Sequence, residues 1–316
     1  MAEGIRIVAL AGGVGAARFL RGLVKVCDPE TITIIGNTGD DREFYGVHVS
    51  PDLDIVTYTL AGKVNASAGF GLEGDHFSII DTLSQFGHDT WFRLGDLDFS
   101  TCLHRTLKLK EGASLTDVTR ELGRYFEIGS LILPMSDGPC PTFIRLNDGR
   151  RMHFEEYLIR DGAPDNVSEI DLSAAKTQRP GPQVIPSILH ADVIFICPSN
   201  PVVSIGPILA LSGVKEALHR TQASVVAVSP IVGGSPIKGP ADRLLKAIGV
   251  EVSARGIASL YSDFCKGMIF DEQDVEQLDA IKKLGYQTSV LDTLMVDQAK
   301  SEAVALAAVR LAENLS

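Results

Sequence analysis

Hydrophobic residues in this chain fall into short continuous runs, and each run ends in glycine, proline or small polar residues. Ile5–Leu10 (IRIVAL) leads into Ala11-Gly12-Gly13-Val14-Gly15, after which Phe19, Leu20, Leu23 and Val24 recur at helical spacing. Thr31–Ile35 (TITII) is a second, β-branched run that stops at Gly36-Asn37-Thr38-Gly39-Asp40-Asp41. Strand, glycine turn, helix and strand make a βαβ unit, and apolar strands without alternation are those covered on both faces. The punctuation returns at Ala191–Ile196, which ends in Cys197-Pro198-Ser199-Asn200-Pro201. It returns again at Ser224–Val228, before Ser229-Pro230, and at Gly267–Phe270, before Asp271-Glu272. The pattern predicts an α/β, Rossmann-like, mostly parallel sheet with helices on both faces. Open sheets of this kind bind ligands at the carboxyl ends of their strands.

The middle of the chain reads differently. Thr142–Leu146 and Met152–Tyr157 flank Asn147-Asp148-Gly149, an Asp-Gly hairpin turn. Residues 160–182 are polar and loop-like. The expectation is one domain over residues 1–316, interrupted at about 138–180 by a small antiparallel or loop insertion.

Composition removes several classes of function. With 316 residues, 45% apolar and 22% charged, the chain has the profile of a globular protein. A net charge of −11 with no dense Lys/Arg cluster argues against a nucleic-acid surface. No apolar stretch approaches the ~20 residues that span a bilayer, and the N-terminus lacks a signal peptide's regions, so a cytoplasmic protein is expected. Cys27, Cys102, Cys140, Cys197 and Cys265 are scattered, with no C-x-x-C pair, which predicts reduced thiols rather than disulfides or zinc ligands.

An acidic protein can still hold phosphates through backbone amides and bound cations. Gly12, Gly13 and Gly15 end a strand and open a helix, where free amides face an anion. Their spacing is neither the dinucleotide fingerprint nor a P-loop. Asp41 follows the second strand, while Asp52 and Asp54 open an apolar helical segment carrying Ile55, Val56, Tyr58 and Leu60. These carboxylates serve either as first-turn capping groups or as ligands for a Mg²⁺ that bridges phosphates. Asp98, before the segment that carries His104 and Arg105, reads as a helix cap, and Ser114 to Asp117 as a capping box. Loops at Pro134–Asp137, Pro198–Pro201 and Ser229–Pro240 offer hydroxyls, an amide and backbone donors for a nucleotide.

Taken together and in order, Ala11-Gly-Gly-Val-Gly15, Asn37-Thr-Gly-Asp-Asp41, Ser50-Pro-Asp-Leu-Asp54, Leu94-Gly-Asp96, Leu133-Pro-Met-Ser-Asp137, Pro198-Ser-Asn-Pro201, Val228-Ser-Pro230 and Asp292-Thr-Leu-Met295 resemble the 2-phospho-L-lactate transferase family of coenzyme F-420 biosynthesis. The matches span nearly the whole chain. The resemblance implies transfer of a phospho-acid group from a guanosine diphosphate-linked donor to the ribityl hydroxyl of 7,8-didemethyl-8-hydroxy-5-deazariboflavin, with release of GMP. It implies Mg²⁺ as cofactor, with Asp41, Asp52 and Asp54 as its ligands, and a homodimer. Asp52 and Asp54 are then the catalytic carboxylates. Gly12, Gly13, Gly15, Asn37, Asp96, Ser136, Asp137, Ser199, Asn200, Ser229 and Gly239 are the expected ligand contacts.

One position departs from the family: Leu97 stands where an arginine follows Leu-Gly-Asp in archaeal members. The donor acid (phospholactate, phosphoenolpyruvate or 3-phosphoglycerate) stays open. The main alternative is a regulatory protein of a related family that binds a uridine diphosphate sugar; an NAD-dependent dehydrogenase is disfavoured by the missing fingerprint.

Overall fold

In the computed structural model, which describes residues 4–65 and 69–315, the apolar runs become the strands of one parallel sheet. Its strands are β1 (Ile7–Ala11), β2 (Ile32–Gly36), β3 (Leu131–Pro134), β4 (Val193–Ile196), β5 (Ser224–Val228), β6 (Gly267–Asp271) and β7 (Gln287–Leu291). They lie side by side in the order β3-β2-β1-β4-β5-β6-β7, every pair parallel. The expected Rossmann-like α/β fold is therefore the observed one.

Both faces are covered, which is why the strands carry no polar alternation. Ile7, Ala9, Ile34, Phe195 and Val226 face α1 (Gly13–Val26), α2 (Pro51–Leu60) and the C-terminal helix Gln298–Leu315 in one core. Val8, Leu10, Ile35, Ile194, Ile196 and Ala227 face a second core. That core also holds Ile144, Leu146 and Met152 from a three-stranded antiparallel sheet inserted between β3 and β4.

The insertion contains more structure than its composition suggests. Phe143–Leu146 pairs with Arg151–His153 across the Asp-Gly turn, as the hairpin signal predicts. On its other edge it pairs with Val167–Asp171, inside the stretch read as loop. Val167 and Ile170 pack on the core while Ser168 and Glu169 face water, so this polar edge strand shows too few apolar residues to be recognised. The second strand stops at His153, and Glu156–Arg160 coils into a π-helical turn.

The connection from β2 to β3 carries a short hairpin (Arg42–Phe44 with Val47–Val49), α2, the helix Ser78–Gln85, α3 (Asp96–Lys110) and α4 (Leu115–Tyr125). The chain winds outward from β1 through β2 to β3, then returns to lay β4 on β1's other side. This reversal opens a crevice beyond the carboxyl ends of β1 and β4, the place where such sheets bind ligands.

Candidate functional site at the strand-order reversal

Three loop systems meet at that crevice. Gly12 ends β1 and precedes α1; its amide donates to Ser199 Oγ at 3.1 Å, joining the first loop to the one after β4. Asn37, directly after β2, donates through Nδ2 to Asp52 Oδ2 at 2.8 Å and to the Val203 carbonyl at 3.2 Å, while its Oδ1 accepts the Gly39 amide at 2.8 Å. One buried amide side chain thus pins α2, the β4 loop and its own turn together.

Glycine is required here by close approach. A methyl group on Gly12 would lie 2.4 Å from Asp52 Oδ2, and one on Gly15 would lie 2.1 Å from the Pro198 carbonyl oxygen. A methyl group on Gly13, at the start of α1, would lie 3.6 Å from Asp52 Oδ1, so a carboxylate already sits where helix amides favour negative charge.

The acids around this point are buried: Asp40 and Glu155 are each 4% exposed and Asp52 is 6% exposed. Burial pushes Asp52 up to about 7, with Asp41's charge adding to it and Asn37's hydrogen bond opposing it. Burial and the charge of Asp52 push Glu155 up to about 8, against Arg42. Asp40 is held well above the carboxylate range by burial and by Asp52, Glu155 and Asp41. Asp41 Oδ2 accepts from Ser50 Oγ at 2.7 Å and is 3.1 Å from His48 Nε2. The Oδ1 atoms of Asp40 and Asp41 are buried without a hydrogen-bond partner. Crowded carboxylates with unpartnered buried oxygens are the donor set a hard divalent cation takes. The residues present therefore fit such an ion.

Asp54 stands apart from this set. Residues two apart on a helix point about 200° away from each other, and Asp54 faces α3, where its carboxylate is taken by the buried guanidinium of Arg105. Tyr58 donates to Asp98 at 2.7 Å beside it. The ligand atoms of Asp54, Asp98 and Cys102 come within 4.8 Å of one another. Arg105 already supplies the cation there, so the geometry argues for a structural ion pair over metal ligation by Asp54. Asp98 is not the cap of α3: its side chain turns inward to Tyr58, and the amides of Leu97 and Asp98 are taken by Asp75.

The other expected contacts divide. Ser199 lies in the crevice, and Asn200 shapes its loop by accepting the amides of Val202 and Val203. Asp96 accepts the amides of Ser78 and Ile79, and Asp137 accepts the amide and hydroxyl of Thr116; both cap neighbouring helices. Ser136 donates to the Arg179 carbonyl, and Ser229 turns back on Ile231. Gly239 adopts a φ of 77° in the loop after β5. Leu97, 49% exposed, lines a cavity of about 560 Å³ with Leu72, His104, Tyr125 and Phe126, within the range of small-molecule sites. Sequence reasoning missed Glu155 and Arg105 as parts of these two centres. Glu155 sits in an insertion with no motif, and Arg105 lies in mid-helix; only the fold brings either to its acid.

A doubly covered parallel sheet with buried carboxylates beside the start of α1 at its strand-order reversal defines a Rossmann-like α/β protein whose candidate site lies at that reversal. The sequence profile of the family "2-phospho-L-lactate transferase CofD" matches residues 7–312, and the chain belongs to that family. It is a transferase. The chain is similar to a phosphoenolpyruvate transferase of Kitasatospora aureofaciens, at 43% identity over 98% of this chain and 99% of that one. It is also similar to a 2-phospho-L-lactate transferase of Methanosarcina mazei, at 38% identity over 95% of this chain and 98% of that one. In fold it is similar to a Bacillus halodurans protein of the upf0052 family, with a TM-score of 0.62 at 18% identity over 98% of this chain and 100% of that one. No helix among the described residues is long and apolar enough to cross a membrane.

Proposed function

We propose that this protein transfers an enolpyruvyl phosphate group from a guanosine diphosphate-linked donor to the terminal ribityl hydroxyl of 7,8-didemethyl-8-hydroxy-5-deazariboflavin, in coenzyme F-420 biosynthesis. The observation that carries the reading is the set of buried carboxylates at the strand-order reversal, beside the amides that open α1. Relatives named phosphoenolpyruvate transferase, at 40–43% identity, support that acid over phospholactate.

The hydroxyl oxygen attacks the donor's distal phosphorus, and the bond from that phosphorus to the bridging oxygen breaks. GMP leaves with the electron pair, and the hydroxyl proton passes to a carboxylate or to water. Such chemistry rests on alignment and charge neutralisation more than on a protein nucleophile. Asp40, Asp41 and Asp52 would hold a Mg²⁺ ion, which would supply neutralisation of the diphosphate's charge. Asp52, fixed by Asn37, orients the attacking hydroxyl. Gly12 and Gly15 keep the crevice floor free of side chains.

The test is incubation with the deazaflavin, Mg²⁺ and, separately, guanylylated phosphoenolpyruvate, phospholactate and 3-phosphoglycerate (GMP joined to each phospho-acid through a diphosphate), followed by mass spectrometry. The phosphodiester and GMP are expected in equal amounts, fastest with the phosphoenolpyruvate conjugate and absent in excess chelator. Turnover in chelator would remove the metal from the account. Selective binding of a uridine diphosphate sugar, with no product from any conjugate, would replace the transfer with a regulatory role.

A further inference from the structure

We propose that Glu155, carried in by the antiparallel insertion, is a further ligand of the divalent cation between Asp40 and Asp52. The proposal rests on the reading that this crevice takes such a cation. Two backbone hydrogen bonds bring the insertion to the site: the Thr142 amide donates to the Gly39 carbonyl at 2.7 Å, and the Phe154 amide donates to the Thr142 carbonyl at 2.9 Å. Residues 39–40 and 154–155 are thereby held against a common strand end.

The turn that follows separates two adjacent acids. The Glu155 amide donates to His153 Nδ1 at 3.2 Å, and the His153 amide donates to Glu156 Oε2 at 3.1 Å. Glu156 pairs with Arg42 at 3.1 Å and with Arg160 at 3.3 Å. Glu155 is buried, and among the described residues its carboxylate makes neither a hydrogen bond nor an ion pair. Asp40 Oδ1 is likewise buried and unpartnered, and the charges of Asp52 and Glu155 both act on Asp40. An uncompensated buried carboxylate is costly, and a second and third beside it more so.

The set is wider than a closed single-ion cage. Asp54, Asp98 and Cys102 are the one trio among the described residues with all ligand atoms within 4.8 Å, and Arg105 holds its carboxylate. A wider set suits a magnesium-like ion, which would take one or two of these carboxylates directly, reach the others through its bound waters, and leave its remaining positions to substrate phosphates. On this view the insertion is part of the catalytic centre: it adds a carboxylate to those supplied by the loop after β2 and the start of α2.

The experiment is Mn²⁺ binding to the full chain, read by electron paramagnetic resonance with and without GDP, alongside thermal unfolding of the metal-free protein. Glu155→Gln is expected to weaken Mn²⁺ at least about tenfold while leaving the metal-free melting temperature unchanged or raised, because a buried like charge is removed. Glu156→Gln, on the Arg42 side, is expected to keep Mn²⁺ affinity within about twofold. Should Glu155→Gln not fold, Glu155→Asp withdraws the carboxylate by one methylene and is expected to weaken Mn²⁺ in the same direction. Mn²⁺ affinity within about twofold of the parent in a folded Glu155 variant would overturn the proposal, as would a parent that binds no Mn²⁺ even with GDP. Loss of the transfer reaction with the Mn²⁺ result intact would instead sink the reaction assigned above and leave Glu155 in place.

Discussion

Asp52 and Asp54 sit two residues apart in the first turn of α2, equally buried, yet they serve opposite ends. Asp52 faces the crevice, accepts from the neutral amide of Asn37, and shares its surroundings with the acids Asp40, Asp41 and Glu155. Asp54 faces the sealed interior against α3 and is neutralised by Arg105, whose second nitrogen reaches the His48 carbonyl at 3.2 Å. The open centre gathers more carboxyl groups than cationic partners, and the closed one pairs Asp54 with Arg105. Surplus charge is what a cation-dependent phosphate site needs; balance is what holds α2, α3 and the hairpin of residues 42–49 in register. On the proposed function, two identical side chains on one helix divide into chemistry and scaffold, and the helical period decides which is which.

Breaking the closed centre is expected to have the largest effect on folding. Asp54→Asn leaves Arg105 buried without its counter-charge and should cost about 3–5 kcal/mol in chemical denaturation; a loss below about 1 kcal/mol would show that Arg105 finds another partner. Crowding the open centre comes next. Gly12→Ala places a methyl 2.4 Å from Asp52 Oδ2 and 2.7 Å from Ser204 Cβ. It should cost about 1–3 kcal/mol and lower turnover further by displacing the carboxylate; a variant with parental turnover would mean Asp52 is free to move.

The smallest effect is a dependence on pH. Burial, with Asp54's charge adding to it, pushes Asp98 up to about 7. A carboxyl raised in the folded state contributes stability that is fully present below its unfolded value, near 4, and lost as pH rises through 7. The parent should therefore lose about 1 kcal/mol between pH 6 and pH 8 that Asp98→Asn does not lose. Parallel pH profiles for the two proteins would remove Asp98 from the closed centre's balance.

Much of this arrangement is legible in the sequence. The uninterrupted apolar runs announce the parallel sheet, because strands covered on both faces need no alternation, and the Asp-Gly turn announces the hairpin. The glycine loop, Asn37 and Asp52 follow from their place after strands. The strand Val167–Asp171 is hidden because only two of its residues meet the core. Glu155 is hidden because its role depends on contacts through Thr142 to Gly39, more than a hundred residues away in sequence. Asp54 was readable in principle: spacing alone puts it on the face opposite Asp52 once the helix starts at Pro51. Asp96 and Asp137 sit in motifs and accept helix amides, a role that a motif does not distinguish from ligand binding.

The most direct test of the division between the two acids is kcat/KM of Asp52→Asn per folded molecule, at saturating Mg²⁺, with the phosphoenolpyruvate conjugate and the deazaflavin. Removing the crevice carboxylate should leave the melting temperature near that of the parent and lower kcat/KM by at least about a hundredfold, equivalent to ~3 kcal/mol of lost transition-state stabilisation. Turnover within about fivefold of the parent, in a protein that folds as well as the parent, would contradict the account and make Asp52 as structural as Asp54.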